Sequence, residues 1–129
     1  MPRMTGVLKV MGWDERAYDV VAGQPTLAHV LATHELTGDI EGEASITYLM
    51  GYSPDGSAQF VGLVRITGRV AERAGTFVMK DVGSYENGKA SGRWTILPGL
   101  GSGDFADIRG NGHFDATHTE ASYMLEVEL

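Results

Sequence analysis

From Ile40 to Leu97 the chain alternates apolar and polar residues over long runs separated by short turn segments. Ile40, Ala44, Ile46, Tyr48 and Met50 share one parity, whereas Glu41, Glu43, Ser45 and Thr47 share the other. Strand side chains point alternately to opposite faces, so this spacing makes a sheet with one wet face and one apolar face. Several such strands in succession predict an antiparallel sheet closed around its apolar side. The expected fold is all-β: a closed antiparallel β-barrel of about eight strands, a number at which the interior just holds side chains or one small ligand.

The turns divide the chain accordingly. Gly6 to Trp13 reads as a first strand, Asp14-Glu15-Arg16 as a polar break and Tyr18 to Ala22 as a short second strand. In Thr26 to Leu36, Ala28, Val30, Ala32, His34 and Leu36 share a face. The β-branched Val30, Thr33 and Thr37, and the lack of a capping box, favour strand over helix there. Ser53-Pro54-Asp55-Gly56 has the chemistry of a tight reversal, and Arg73-Ala74-Gly75 is the expected turn after the strand Ala58 to Val70. Asn87-Gly88, between Thr76–Tyr85 and Lys89–Leu97, is a strong hairpin signal because both residues tolerate positive φ. Pro98 to Asp107 breaks the pattern, with a short helical turn expected at Ser102–Ala106. Arg109–Thr117 and Ala121–Leu129 are the last strands, joined around His118.

At 129 residues with no linker, residues 1–129 are expected to form a single domain. No apolar run approaches the ~18 residues of a membrane span, and the start lacks the apolar core of a signal peptide, so the expected location is cytoplasmic. There is no cysteine, hence no disulfide, thiolate metal site or thiol nucleophile. A formal net charge of −7 argues against nucleic acid and anionic membrane surfaces as partners.

Several motifs dissolve on inspection. Gly83 to Ala90 nearly spells a phosphate-binding loop, but Ala90 stands where a Ser or Thr would hold magnesium, and a hairpin explains the same residues. Gly101-Ser102-Gly103-Asp104-Phe105-Ala106 fits a loose dinucleotide fingerprint, yet too little chain follows for a crossover helix and a parallel strand. His29 and His34, like His113 and His118, are an odd number of positions apart, so neither pair is a local ligand set, and no metal or other cofactor is expected. Glu41/Glu43 and Glu126/Glu128 lie opposite the apolar parity of their strands, as a solvated outer face does.

Asp81 is different, because it shares parity with Phe77, Met79 and Tyr85. A carboxyl among interior residues has its pKa raised and can serve as a proton donor or acceptor. Alternatively it is structural, bonded to backbone amides or paired with Arg65 or His34. Tyr48, Tyr52, Phe60, Phe77, Tyr85, Trp94, Phe114 and Tyr123 form an aromatic set that alternation turns largely inward. Buried tyrosines need hydroxyl partners, which a ligand cavity would supply.

The expected function is a small-molecule-binding barrel, with Tyr48, Phe60, Phe77, Tyr85, Trp94, Tyr123 and His34 against an apolar or aromatic ligand and Asp81 or Arg65 orienting it. The alternative is a cofactor-independent isomerase, cyclase or lyase, with Asp81 as acid or base and Tyr48 or Tyr123 as hydrogen-bond donor. A third possibility is an interaction protein with a filled barrel. Apolar residues on the opposite parity, Val61, Leu63 and Val78, predict a homodimer under any of these readings.

Phe60-Val61-Gly62-Leu63-Val64-Arg65-Ile66-Thr67-Gly68, Gly75-Thr76-Phe77-Val78-Met79, Pro98-Gly99-Leu100-Gly101-Ser102-Gly103-Asp104-Phe105-Ala106 and Tyr123-Met124-Leu125-Glu126 together resemble a bacterial domain-of-unknown-function family with an allene-oxide-cyclase-like barrel, as does Trp13-Asp14-Glu15. The resemblance implies an eight-stranded antiparallel barrel, related in shape to plant allene oxide cyclases and bacterial spirotetronate cyclases. The family has no established activity, so what it implies is a fold. Leu100, Phe105 and Asp107 depart from the Ser, Leu and Gly common in its glycine loop, at what would be a barrel rim. No catalytic group of either cyclase carries over to a residue of this chain.

Overall fold

The chain winds up and down around a barrel, each long strand hydrogen-bonded to its neighbours in sequence. A computed structural model describes residues 2–117 and 120–129. Its strands are β1 (Arg3–Asp19), β2 (Thr26–Gly38), β3 (Glu41–Tyr52), β4 (Ala58–Val70), β5 (Arg73–Glu86), β6 (Lys89–Ile96), β7 (Ser102–Gly103), β8 (Arg109–Ala116) and β9 (Ala121–Glu128). β1 pairs with β9 and β4 with β5, closing eight antiparallel strands into one wall. The two-residue β7 lies against Gly75 and Thr76 of β5. Among the described residues no helix is long and apolar enough to cross a membrane. The predicted turn around His118 lies outside the described residues.

The inner parity is as the alternation predicts. Ile40, Ala44, Ile46, Tyr48 and Met50 are buried, as are Ala28, Val30, Ala32 and Leu36 of β2 and Tyr123, Leu125 and Val127 of β9. Asn87 and Gly88 both have positive φ, as their hairpin requires.

The wall is strongly staggered. Paired residues followed once around it from Leu27 of β2 return to β2 at Thr37, a shift of ten residues (27 to 37). Such a stagger tilts the strands and leaves the rim uneven. β9 accompanies β1 only over Arg3–Val7, whereas β2 pairs with β1 from Gly6 to Asp19. The far half of the β1–β2 hairpin therefore rises above one side of the mouth as a lip.

Three local expectations are corrected. Gly6–Trp13 and Tyr18–Ala22 are not two strands around a break at Asp14–Arg16: one strand runs through to Asp19. Both faces of the lip meet water, so charged residues there do not end the strand. The β4–β5 turn falls at Ala71-Glu72, with Ala71 at positive φ, and not at Arg73-Ala74-Gly75. Gly75 is small for another reason: a side chain there would strike the Ser102 backbone of β7. Val78, unlike the exposed Val61 and Leu63, is buried, and its carbonyl accepts the Leu97 amide where the long β6–β8 connection passes over it.

One end of the barrel is sealed. That connection drops Phe105 into the core, edge-on to Phe77 with ring centroids 5.5 Å apart, and both rings are fully buried. Successive bonds from Phe105 N to Ser102 O, Ala106 N to Gly103 O and Ile108 N to Phe105 O wind it into turns, at the position where a helical turn is predicted. Phe105 is thus a plug, while Leu100 and Asp107 stay exposed.

Candidate functional site

The opposite end is open. A well of about 300 Å³ descends from the mouth, lined by Leu8, Val10, Trp13, His34, Tyr48, Met50, Tyr52, Phe60, Tyr85, Ala90, Phe114, Ala116 and Ala121. An apolar cavity of ~150 Å³ already accepts benzene, so this one has room for an aromatic ring with substituents. Its aromatic wall is continuous with the core. Ring centroids run from Trp13 to Tyr48 (6.4 Å), Tyr48 to Phe60 (4.9 Å), Phe60 to Phe114 (6.1 Å), Phe114 to Trp94 (5.9 Å) and Trp94 to Tyr123 (6.1 Å). These separations lie within the range where aromatic pairs attract beyond simple burial.

Beneath the floor sits the buried carboxylate. Tyr48 of β3, Gly62 of β4 and Asp81 of β5 lie side by side in the ladder. A side chain at position 62 would collide with the Tyr48 ring and the Thr47 carbonyl, so glycine there lets the phenol cross β4. The Tyr48 hydroxyl then donates to Asp81 Oδ2 at 2.7 Å. Gly92 of β6 gives similar clearance to Asp81 Oδ1 and to the Phe114 ring. Asp81 is fully buried, and its Oδ1 has no hydrogen-bond partner among the described residues. Burial pushes its carboxyl up to about 6, against the opposing pull of the Tyr48 hydroxyl and the Trp94 indole. Trp94 faces Asp81 across the ladder but its N–H falls short of hydrogen-bond geometry with any acceptor, so we assign it a weak electrostatic role. Burial, then the Asp81 charge and hydrogen bond, push the Tyr48 phenol far above the normal tyrosine range, so it stays protonated.

The mouth carries a second polar group. A bulge at Met11 shifts the register from Val10 opposite His34 to Gly12 opposite Thr33. One extra residue exchanges the two faces of the strand beyond it. Trp13 and Glu15 thereby come opposite the buried Ala32 and Val30, on the inner side of the lip. Glu15 Oε1 accepts the Trp13 indole N–H at 3.1 Å and Oε2 accepts the Tyr52 hydroxyl at 2.8 Å. Partial burial, and then the Glu15 hydrogen bond, push the Tyr52 phenol up to about 12. His34 lines the well with Nε2 buried and unpartnered, and burial lowers its pKa, keeping the imidazole neutral.

The structure therefore divides the predicted site. Tyr48, Phe60, Tyr85 and His34 line the well, with Asp81 directly behind Tyr48. Trp94 and Phe77 are buried away from the cavity, Trp94 behind Phe114 and Phe77 at the sealed end. Tyr123 is corrected: its hydroxyl donates to Thr37 O (2.8 Å) and accepts the Ile40 amide (3.1 Å), tying the β2–β3 turn to β9 far from the mouth. Arg65 is also corrected. It is exposed on the outer wall, since it is an odd number of positions from the inward Phe60, and it can neither pair with Asp81 nor reach a ligand in the well. Trp13 and Glu15 escape sequence reasoning because the Met11 bulge reverses their face. The clue available was Gly12, since an isolated glycine in a strand marks bulges. Among the described residues no three His, Asp or Glu side chains gather as a metal-holding group.

Fold and site together define an eight-stranded up-and-down barrel with an aromatic-walled well at its open end. Residues 4–127 match the family model described as "Protein of unknown function (DUF3224)", and the chain belongs to that family. It is similar to the crystal structure of a protein of unknown function from the DUF3224 family of Shewanella oneidensis MR-1, with a TM-score of 0.85 and 20% identity over 100% of this chain and 98% of that one. At that identity the likeness concerns the fold. No curated protein matches the chain.

Proposed function

We propose that the barrel binds a small apolar or aromatic molecule, entering from the mouth and resting against Tyr48, Phe60, Tyr85 and Phe114. The observation behind this reading is the open well of about 300 Å³ within an otherwise tightly filled interior. Protein cores are close-packed, and a void of this size forfeits dispersion contacts that any small side chain turned large would restore. Pockets for small molecules have this make-up: mostly apolar walls and a few polar groups that fix orientation. His34, whose Nε2 is buried beside the well and unpartnered among the described residues, would supply such a group once its ring turns toward a ligand. The test is a titration of the 15N-labelled chain with tert-butylbenzene. Saturable shifts of the Trp13 indole and His34 signals support the reading, and their absence up to the solubility limit removes it.

A second reading has its own support in the Tyr48–Asp81 pair. With Asp81 ionised, Tyr48 holds its proton toward Oδ2, borders the well, and has lone-pair capacity left on its oxygen. A carbon acid bound there could pass a proton to the Tyr48 oxygen while Tyr48 passes its own to Asp81. The reverse transfer at another carbon would complete an isomerisation without a cofactor. Incubation with phenylacetone in D₂O tests this: exchange of the α-protons, abolished in both Tyr48→Phe and Asp81→Asn, is expected. Exchange at the buffer rate rules the relay out.

A further inference from the structure

We infer that the preferred ligand of the well is an organic cation, its apolar body in the well and its positive head at the mouth against Glu15 and the faces of Trp13 and Tyr52. This deepens the binding function proposed above and rests on it. The carboxylate and the ring faces gathered at the well favour a positive group. Glu15 is held on the inner side of the lip by the Trp13 indole and the Tyr52 hydroxyl, each using one lone pair of a different carboxylate oxygen. Both bonds are accepted by the carboxylate, so its negative charge stays at the mouth. Aromatic faces carry negative potential, and a cation within about 6 Å of a ring centroid is attracted most strongly by Trp, then Tyr. Trp13, Tyr48, Tyr52 and Tyr85 all border the well. Among the described residues no lysine or arginine lines it. The residues on either side of Glu15, Asp14 and Arg16, are exposed and pair with each other at 3.6 Å. An anionic headgroup would thus meet a carboxylate, ring faces and a chain of net charge −7.

Depth decides where the positive head sits. A full charge carried to the floor would lose its hydration and gain no direct contact with Asp81, which Tyr48 covers. At the rim the head keeps part of its water and gains both the carboxylate and the rings. A quaternary ammonium is the favoured form, because it presents methyl groups to the rings and sacrifices no hydrogen bonds to water.

Three probes of one shape test this: phenyltrimethylammonium, tert-butylbenzene and the 2-methyl-2-phenylpropanoate anion. Each is titrated into the whole chain at low ionic strength, with the Trp13 indole N–H as reporter. Phenyltrimethylammonium is expected to bind about tenfold more tightly than tert-butylbenzene, and the anion more weakly than either. Glu15→Gln, which keeps the shape and an acceptor for Trp13, is expected to remove most of that preference while leaving tert-butylbenzene unchanged. Trp13→Leu should lower it further, read through the Tyr52 ring signals. Glu128→Gln, an equal change of net charge at the other end of the barrel, should leave the preference intact. Equal binding of cation and neutral probe, or a preference untouched by Glu15→Gln, overturns the inference while the binding function stands. Failure of all three probes overturns both.

Discussion

The two ends of this barrel are built from the same aromatic residues and put them to opposite use. At the sealed end, Phe77 and Phe105 meet edge to face and leave no space, and the Tyr123 hydroxyl is spent on backbone groups of the β2–β3 turn. At the open end, Tyr48, Phe60 and Phe114 face a void, and the Tyr48 hydroxyl is turned on a carboxylate rather than on the backbone. Tyr123 and Tyr48 even reach their partners by the same device, each leaning across a glycine, Gly6 in β1 and Gly62 in β4. The difference lies in what waits beyond the glycine. A backbone acceptor makes a latch, whereas a buried titratable group couples the wall of the well to pH.

The largest expected effect comes from unplugging the sealed end. Phe105→Ala should cost about 3–5 kcal/mol in denaturant unfolding, the usual loss for a buried phenylalanine. Binding of tert-butylbenzene at the mouth should change by less than about twofold, because distant sites act independently. A folded variant that no longer binds the probe would show the two ends to be one cooperative packing unit.

Next is the buried carboxylate. Its folded-state pKa of about 6 lies above the ordinary aspartate value of 3.8, so the folded state holds the proton more tightly than the unfolded one. Below pH 3.8 both states are protonated and Asp81 costs nothing. Between pH 3.8 and about 6 the unfolded state ionises while the folded state keeps its proton, so stability falls across that window, and above about 6 the loss is complete. At 1.36 kcal/mol per pKa unit the loss amounts to roughly 3 kcal/mol. Asp81→Asn is neutral at every pH, so its stability relative to the parent chain should rise by about that amount between pH 4 and pH 7. Parallel stability–pH curves for the two proteins would mean that water or a counter-ion already solvates the carboxylate.

How much of this contrast was legible beforehand follows from where strand parity holds. The interior of β2, β3, β5 and β9 could be read because one face is buried along most of each strand, and a one-residue slip would be ruinous there. Asp81 was found the same way. The lip could not be read. Gly12 hints at a bulge without saying which residue is extra, and beyond it β1 has water on both faces, so alternation carries no information. Hence Glu15 looked like part of a break. Arg65 is legible from its own strand: it stands an odd number of positions from the inward Phe60 and so faces outward, whatever its charge offers Asp81. The roles of Gly62 and Gly92 depend on which residues lie beside them in neighbouring strands, and register across strands is invisible in one sequence.

The tyrosines give the two smaller effects. Removing the Tyr123 hydroxyl leaves the buried Ile40 amide without its acceptor and frees the Thr37 carbonyl. Tyr123→Phe should therefore cost about 1–3 kcal/mol, the penalty for unsatisfied buried groups, with probe binding unchanged. Amide exchange at Ile40 should accelerate by the corresponding factor. An unchanged exchange rate would show that the turn is held by the Asp39 contacts to Thr5 alone.

Tyr85 is the control for both. It shares inner parity with Asp81 on β5, yet at the rim it is 41% exposed. Among the described residues its hydroxyl has no hydrogen bond to lose, so Tyr85→Phe should shift stability by less than about 0.5 kcal/mol. The ring itself borders the well, so tert-butylbenzene should bind as before. If burial and not residue type sets the value of a hydroxyl here, the ranking must follow depth: Tyr123 well above Tyr85, measured in the same denaturant series. A Tyr85→Phe cost equal to that of Tyr123→Phe would mean that the rim is as tightly structured as the sealed end, and the division of the barrel into a rigid base and an adaptable mouth would fail.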